Sequence, residues 1–159
     1  MNYFELFDIP VSVTVDKSVL AKKYFELQKK NHPDFFVQED ETAQQEALEK
    51  TSELNKAFKI LKDPDATIQY LLKIKKLLQE EEKYPLPPEF LMEVMELNEN
   101  LGDDSAAAVA DFEKDIYAEV SNIIQNYNDT TITKEELLKL KEYYYKKKYL
   151  QRILDRMEG

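Results

Sequence analysis

The sequence predicts an all-α protein built from two modules, a four-helix module followed by a three-helix bundle. Three observations carry that reading. Only two glycines, Gly102 and Gly159, occur among 159 residues, so long stretches of Leu, Lys, Glu, Gln and Ala run without the residue that most weakens a helix after proline. Apolar residues in those stretches recur at helical spacing, and no convincing alternating pattern marks a strand. The run Gln79-Glu80-Glu81-Glu82-Lys83-Tyr84-Pro85-Leu86-Pro87-Pro88 has the charge and proline content of a module boundary. The expected division is therefore 1–78, a linker at 79–87, and a bundle at 88–159.

A short amphipathic turn is expected over 3–7, ending near Ile9-Pro10. The second helix should start around Asp16, a good N-cap, and run to Asn31, because Pro33 disfavours helical backbone in the residue before it. Leu20, Tyr24 and Leu27 make its buried stripe. The third helix is expected over 39–61, with Ala47, Thr51, Leu54, Phe58 and Leu61 on one face and acidic residues in its first turn, where the helix dipole favours them. Lys62-Asp63-Pro64 ends it. A fourth amphipathic segment, 65–78, carries Ile68, Leu71, Leu72, Ile74 and Leu78.

In the second half, helices are expected over 88–101, 105–127 and 133–157. Thr133 and Glu136 fit a capping box, and Asp103-Asp104-Ser105 offers caps for the middle helix. Short connections make neighbouring helices antiparallel. Phe90, Val94, Leu97 and Leu101 anchor the first of the three. Leu140, Tyr143, Leu150, Leu154 and Met157 approximate a heptad seam on the last, with Leu138, Tyr145 and Tyr149 off it.

Composition excludes several function classes. Two glycines cannot build a phosphate-cradling loop. With no cysteine and a single histidine, there are no disulfides, no thiolate nucleophile, no cysteine-held zinc or cluster, and no two-imidazole metal site. No metal or cofactor is expected. Thirty-two acidic against twenty-two basic residues give a net charge of −10, which opposes binding to nucleic acid or an anionic membrane. No apolar run approaches the roughly 20 residues a spanning helix needs. The opening Asn2-Tyr3-Phe4-Glu5 lacks a targeting pattern, so a cytoplasmic location and a protein partner are expected.

Two patterns stand out in the first module. Pro33 breaks the chain between two helices, so His32-Pro33-Asp34 is displayed at a stiff turn instead of along a buried stripe. On the preceding helix, Lys22, Lys23, Lys29 and Lys30 centre about 120° from the apolar stripe, at roughly 100° per residue. They form a basic strip, broken only by Glu26, in an otherwise acidic chain. The plainer readings are that His32 and Asp34 cap neighbouring turns and that the lysines decorate a solvated face.

These features in this order resemble a J-domain over about the first 75 residues: Tyr3-Phe4-Glu5-Leu6-Phe7, the basic helix, the His-Pro-Asp turn, and Leu54-Asn55-Lys56-Ala57-Phe58-Lys59-Ile60-Leu61. The resemblance implies docking on a DnaK-type heat-shock ATPase and stimulation of its ATP hydrolysis, with His32, Pro33 and Asp34 as the stimulating loop and Lys22, Lys23, Lys29 and Lys30 as the docking strip. Phe90-Leu91-Met92-Glu93-Val94-Met95-Glu96-Leu97-Asn98-Glu99 resembles the client-binding helix of the HscB family, the J-proteins of iron–sulfur cluster assembly. Ile68-Gln69-Tyr70-Leu71-Leu72 resembles that family's fourth helix. This implies a co-chaperone, itself not an enzyme, that brings an IscU-type scaffold protein to an HscA or DnaK-type ATPase. The family often adds a cysteine-rich module in eukaryotes; its absence here resembles the bacterial type.

The residues support the client helix independently. Leu91, Met92 and Met95 point on average about 140° from the anchoring stripe, and a three-helix bundle cannot easily bury both sets. Apolar side chains rimmed by charge, here Glu96 and Glu99, mark interaction sites, and methionine adapts to irregular partners. The plainer reading packs Met92 and Met95 against the last helix. Tyr149 matches a position where the family usually has an aromatic residue, often Phe. Two rivals differ in kind. A general J-protein for another client commonly carries glycine-rich and zinc-binding modules that this chain lacks. An enzyme using His32 and Asp34 as an acid/base pair needs a concave pocket that an exposed turn does not offer. A purely structural bundle would leave the His-Pro-Asp turn unused.

Overall fold

The computed structural model describes residues 1–99 and 105–158, and every regular element among them is helical. They form two compact units, Met1–Ile74 and Lys75–Gly159.

In the first unit α1 (Tyr3–Leu6) is capped by Asn2, whose Oδ1 accepts the Glu5 N–H at 2.9 Å. Asp8, at φ 52°, turns the chain out of it, a left-handed position that aspartate tolerates. α2 (Lys17–Asn31) opens as expected at Asp16, whose carboxylate accepts the N–H groups of Ser18 and Val19 at 3.0 and 3.2 Å. The hydroxyl of Ser18 is the largest influence holding that carboxyl below its ordinary range. After a single 3₁₀ turn (Pro33–Phe36), α3 (Glu41–Leu61) begins two residues later than the expected 39, because Asp40 supplies the cap by accepting the Ala43 N–H at 2.8 Å.

α2 and α3 run antiparallel: Tyr24 stacks on Phe58 at 4.1 Å and donates its hydroxyl proton to Asn55. Phe4, Phe7, Leu20, Leu54, Leu61, Leu71 and Leu72 fill the core, each contributing roughly 1.5–3 kcal/mol of apolar burial. α4 (Pro64–Ile74) locks onto the start of the chain, where Tyr70 stacks on Tyr3 and accepts its N–H at 2.8 Å.

The expectation of helix through 78 fails at Ile74. The apolar spacing does continue, and Leu78 is buried, but Lys76 adopts φ 61° and ends the helix. The segment expected as linker belongs to the second unit. Lys75 pairs with Asp129 at 2.7 Å, Glu82 pairs with Lys141 at 2.7 Å, and Tyr84 stacks on Tyr145 at 4.6 Å.

The second unit contains α5 (Pro88–Glu99), α6 (Ser105–Ala118), α7 (Ser121–Gln125) and α8 (Lys134–Glu158). One helix was expected over 105–127; two are found. The break falls at buried Val120, followed by Ser121 and Asn122, whose side chains compete with helical backbone bonds; the Ser121 hydroxyl indeed donates to the Ala118 carbonyl at 3.4 Å. The capping box before α8 forms: Glu136 Oε1 accepts the Thr133 N–H, and Thr133 Oγ1 accepts the Glu136 N–H, both at 3.2 Å. Phe90, Val94, Val109, Ile116, Leu140, Tyr143 and Leu150 make the core, with Leu97 and Leu154 half-buried at its edge. Leu101, Asp103 and Asp104 lie outside the described residues, as do the side chains of Ser105 and Met157.

Candidate functional site

Pro33 pushes His32 to an extended backbone, φ −61° and ψ 132°, and so ends α2 at Asn31. That leaves the tripeptide standing between the ends of two long helices. His32 Nδ1 accepts the Asp34 N–H at 3.2 Å and lies 3.5 Å from Asp34 Oδ2. Both side chains are exposed. His32 is therefore a cap for the 3₁₀ turn, as the plainer reading held, and its ring is presented to solvent at the same time. Phe35 sits edge-on to that ring at 6.4 Å and is itself exposed.

The basic strip is three lysines strong, not four. Lys22, Lys29 and Lys30 are exposed on α2, but Lys23 folds back and its ammonium donates to the carbonyl of Asp8, closing the loop after α1. Lys29 and Lys30 lie in the last turn of α2, where the helix dipole favours cations. Sequence reasoning missed Phe25, which stands exposed between Lys22 and Lys29, three residues after one and four before the other. The available signal was an aromatic residue off the Leu20, Tyr24, Leu27 stripe.

In the second unit α5 splits its apolar residues as expected. Phe90 and Val94 are buried, Leu91 is half-buried, and Met92 and Met95 are 62% and 59% exposed. Glu96 and Glu99 stand exposed on the same helix. Tyr149 is half-buried and meets α5 edge-on at Phe90, with ring centres 6.2 Å apart.

Sequence reasoning also missed Lys146, a buried cation behind this helix. Its ammonium bonds Glu119 at 3.0 Å, lies 3.4 Å from Glu142, and sits 5.5 Å from the centre of the Phe90 ring. Burial pushes its ammonium toward neutrality, yet the two carboxylates carry it above its ordinary value. Phe90 is thus held by Phe112, Tyr149 and a cation together, which fixes the helix that carries the exposed methionines.

Comparison with known proteins agrees with this division. Residues 2–70 match the DnaJ domain family, and residues 86–158 match the family described as the HSCB C-terminal oligomerisation domain. The co-chaperone protein HscB homolog of Vibrio vulnificus is 37% identical over 139 residues, spanning 81% of each chain. That of Shewanella amazonensis is 34% identical over 156 residues, spanning 89% of this chain and 90% of its own. Among solved structures, the chaperone HscB from Vibrio cholerae superposes with a TM-score of 0.62 at 30% identity, covering 99% of both chains. The human co-chaperone protein HscB gives 0.79 at 27% identity, covering 99% of this chain and 81% of its own. On these matches, and on the tripeptide turn and split-faced helix described above, the chain belongs to the HscB family of J-domain co-chaperones.

Proposed function

We propose that this chain binds an IscU-type iron–sulfur scaffold protein, delivers it to an HscA or DnaK-type heat-shock ATPase, and stimulates ATP hydrolysis there to promote cluster transfer. The observation that carries the reading is the division of α5: two residues anchor it inside its own unit while Met92 and Met95 stay uncovered. Methionine pairs of that kind fit a partner of irregular apolar surface, and Leu91, Glu96, Glu99 and Tyr149 are assigned to the same contact. His32, Pro33 and Asp34, with Lys22, Lys29 and Lys30, are assigned to the ATPase. Lys23 contributes charge nearby while its ammonium stays on the Asp8 carbonyl.

The chain acts through its partner's catalytic site. Exposure of both His32 and Asp34 supports docking over acid/base chemistry, which needs a site that holds substrate and excludes water. The reaction is assigned to the cytoplasm; no described helix is long and apolar enough to cross a membrane. Steady-state ATPase measurement with a DnaK-type partner, with and without an IscU-type scaffold, tests the proposal. Stimulation by both proteins together should exceed the sum of their separate effects. Stimulation that is indifferent to the scaffold would reduce the reading to a general J-domain co-chaperone with another client.

A further inference from the structure

We propose that Lys146 is a positioning residue for the scaffold contact: through its hold on Phe90 it sets the roll of α5 about its own axis, and so the direction in which Met92 and Met95 face. This rests on the reading of α5 as the scaffold-binding helix. The buried residues of α5 are Phe90 and Val94, one turn apart on a single stripe. Anchors that close together resist roll weakly unless the ring in the first turn is itself held in place. At roughly 100° per residue, Met92 and Met95 lie about 200° and 140° around the helix from Phe90, so a roll at the anchor reaches them in full. With its side chains a helix is about 5–6 Å in radius, and a roll of about 20° moves its surface by about 2 Å. A gap of about 1 Å already forfeits up to roughly half of a dispersion contact.

Three groups hold the Phe90 ring. Phe112 stacks on it at 5.7 Å and 26°, Tyr149 meets it at 6.2 Å and 66°, and the Lys146 ammonium stands over it at 5.5 Å. Lys146 is in turn fixed by Glu119 at 3.0 Å and by Glu142, one turn earlier on α8, at 3.4 Å. Glu119 occupies the two-residue gap between the end of α6 at Ala118 and the start of α7 at Ser121, so the interruption of that helix falls where a carboxylate meets the lysine of α8. The lysine side chain is 9% exposed, whereas those of Glu119 and Glu142 are 58% and 35% exposed. A buried ammonium is a poor source of stability, because desolvation offsets much of its attraction to the carboxylates, and an apolar side chain of similar length would fill the space as well. What the apolar side chain lacks is direction. A cation held at a fixed point favours the face of an aromatic ring, so orientation of Phe90 accounts for the lysine where stability does not.

The test is isothermal titration of the full chain with an IscU-type scaffold, which separates affinity from the fraction of chain able to bind. Lys146→Met keeps the length of the side chain and leaves two carboxylates that water can reach; its melting temperature should stay within about 3 °C. Affinity should fall about tenfold at unchanged stoichiometry, as several methionine contacts each lose part of their dispersion. In a chain already carrying Met92→Ala and Met95→Ala, the same change should cost only about twofold, because residues that act through one another are not additive. Glu119→Gln, which removes the nearer charge from the lysine, should weaken binding about threefold by the same route. A tenfold loss in both backgrounds, or a loss of stoichiometry at constant affinity, would make Lys146 structural alone and overturn the inference. So would scaffold binding by both Lys146→Met and Glu119→Gln that equals that of the unaltered chain. If Lys146→Met fails to fold, Glu119→Gln decides, since its carboxylate is mostly open to water and unchanged affinity there refutes the proposal. If the unaltered chain does not bind the scaffold at all, the reading of α5 falls and takes this inference with it.

Discussion

Replacing both Met92 and Met95 by alanine isolates the client surface from the fold that carries it. About three-fifths of each side chain is open to water, and complete burial of a methionine is worth roughly 1.5–3 kcal/mol. A scaffold protein that covers both would gain about 1–1.8 kcal/mol from each, less the share of roughly a third retained by the alanine methyl groups, so the double variant should lose about 1.3–2.5 kcal/mol. At 1.4 kcal/mol per tenfold, that is a loss in affinity of about 10- to 60-fold, read by isothermal titration with an IscU-type scaffold. The melting temperature should stay within about 2 °C, since alanine suits a helix and little buried area is lost. Phe90→Ala is the contrasting control: Phe90 is 5% exposed and packed among Phe112, Tyr149 and Lys146, so its removal should cost about 3–5 kcal/mol of stability. An unchanged scaffold affinity in the double methionine variant would refute the reasoning, since no other exposed apolar pair is available on that helix among the described residues.

Three further outcomes are expected. His32→Gln should abolish ATPase stimulation while the melting temperature moves by no more than about 3 °C, because only one cap hydrogen bond in an exposed turn is at stake; surviving stimulation would show that the turn is structural alone. Reversing Lys22 and Lys29 to glutamate should slow association with the ATPase most at low salt, measured by stopped-flow, with the difference shrinking as ionic strength rises; a salt-independent difference would mean the lysines act through structure. Glu82 is held below its ordinary carboxylate range, chiefly by the hydrogen bond from Lys141. A depressed carboxyl contributes stability above its unfolded value and loses it as the pH falls, so melting temperature should drop below about pH 4. Glu82→Gln should make that drop smaller, and an identical acid profile would detach the ion pair from the stability of the second unit.

Much of the fold was legible because the signals were local. Asp16 and the Thr133–Glu136 box are caps that act within four residues, and the split of α5 follows from side-chain spacing once one face is known to be buried. Where local and tertiary forces disagree, the sequence misleads. The pattern of α4 runs on through Leu78, yet the helix stops at Ile74 because Lys75 and Leu78 are taken up by the second unit. The spacing over 105–127 suits one helix, yet the chain breaks where Val120 is buried and Ser121 turns back on Ala118.

By itself the sequence determined an all-helical chain, a proline-locked turn displaying a histidine and an aspartate, and an apolar face on α5 left without a partner, since each depends on backbone stereochemistry and on residues a few positions apart. Only the tertiary structure decided that Lys23 turns inward to the Asp8 carbonyl, and that Lys146 lies buried between two carboxylates beneath Phe90. The ties from Lys23 to Asp8, from Lys146 to Glu119 and from Lys146 to Phe90 join residues from 15 to 56 positions apart, and no periodicity along one helix records what another helix brings against it.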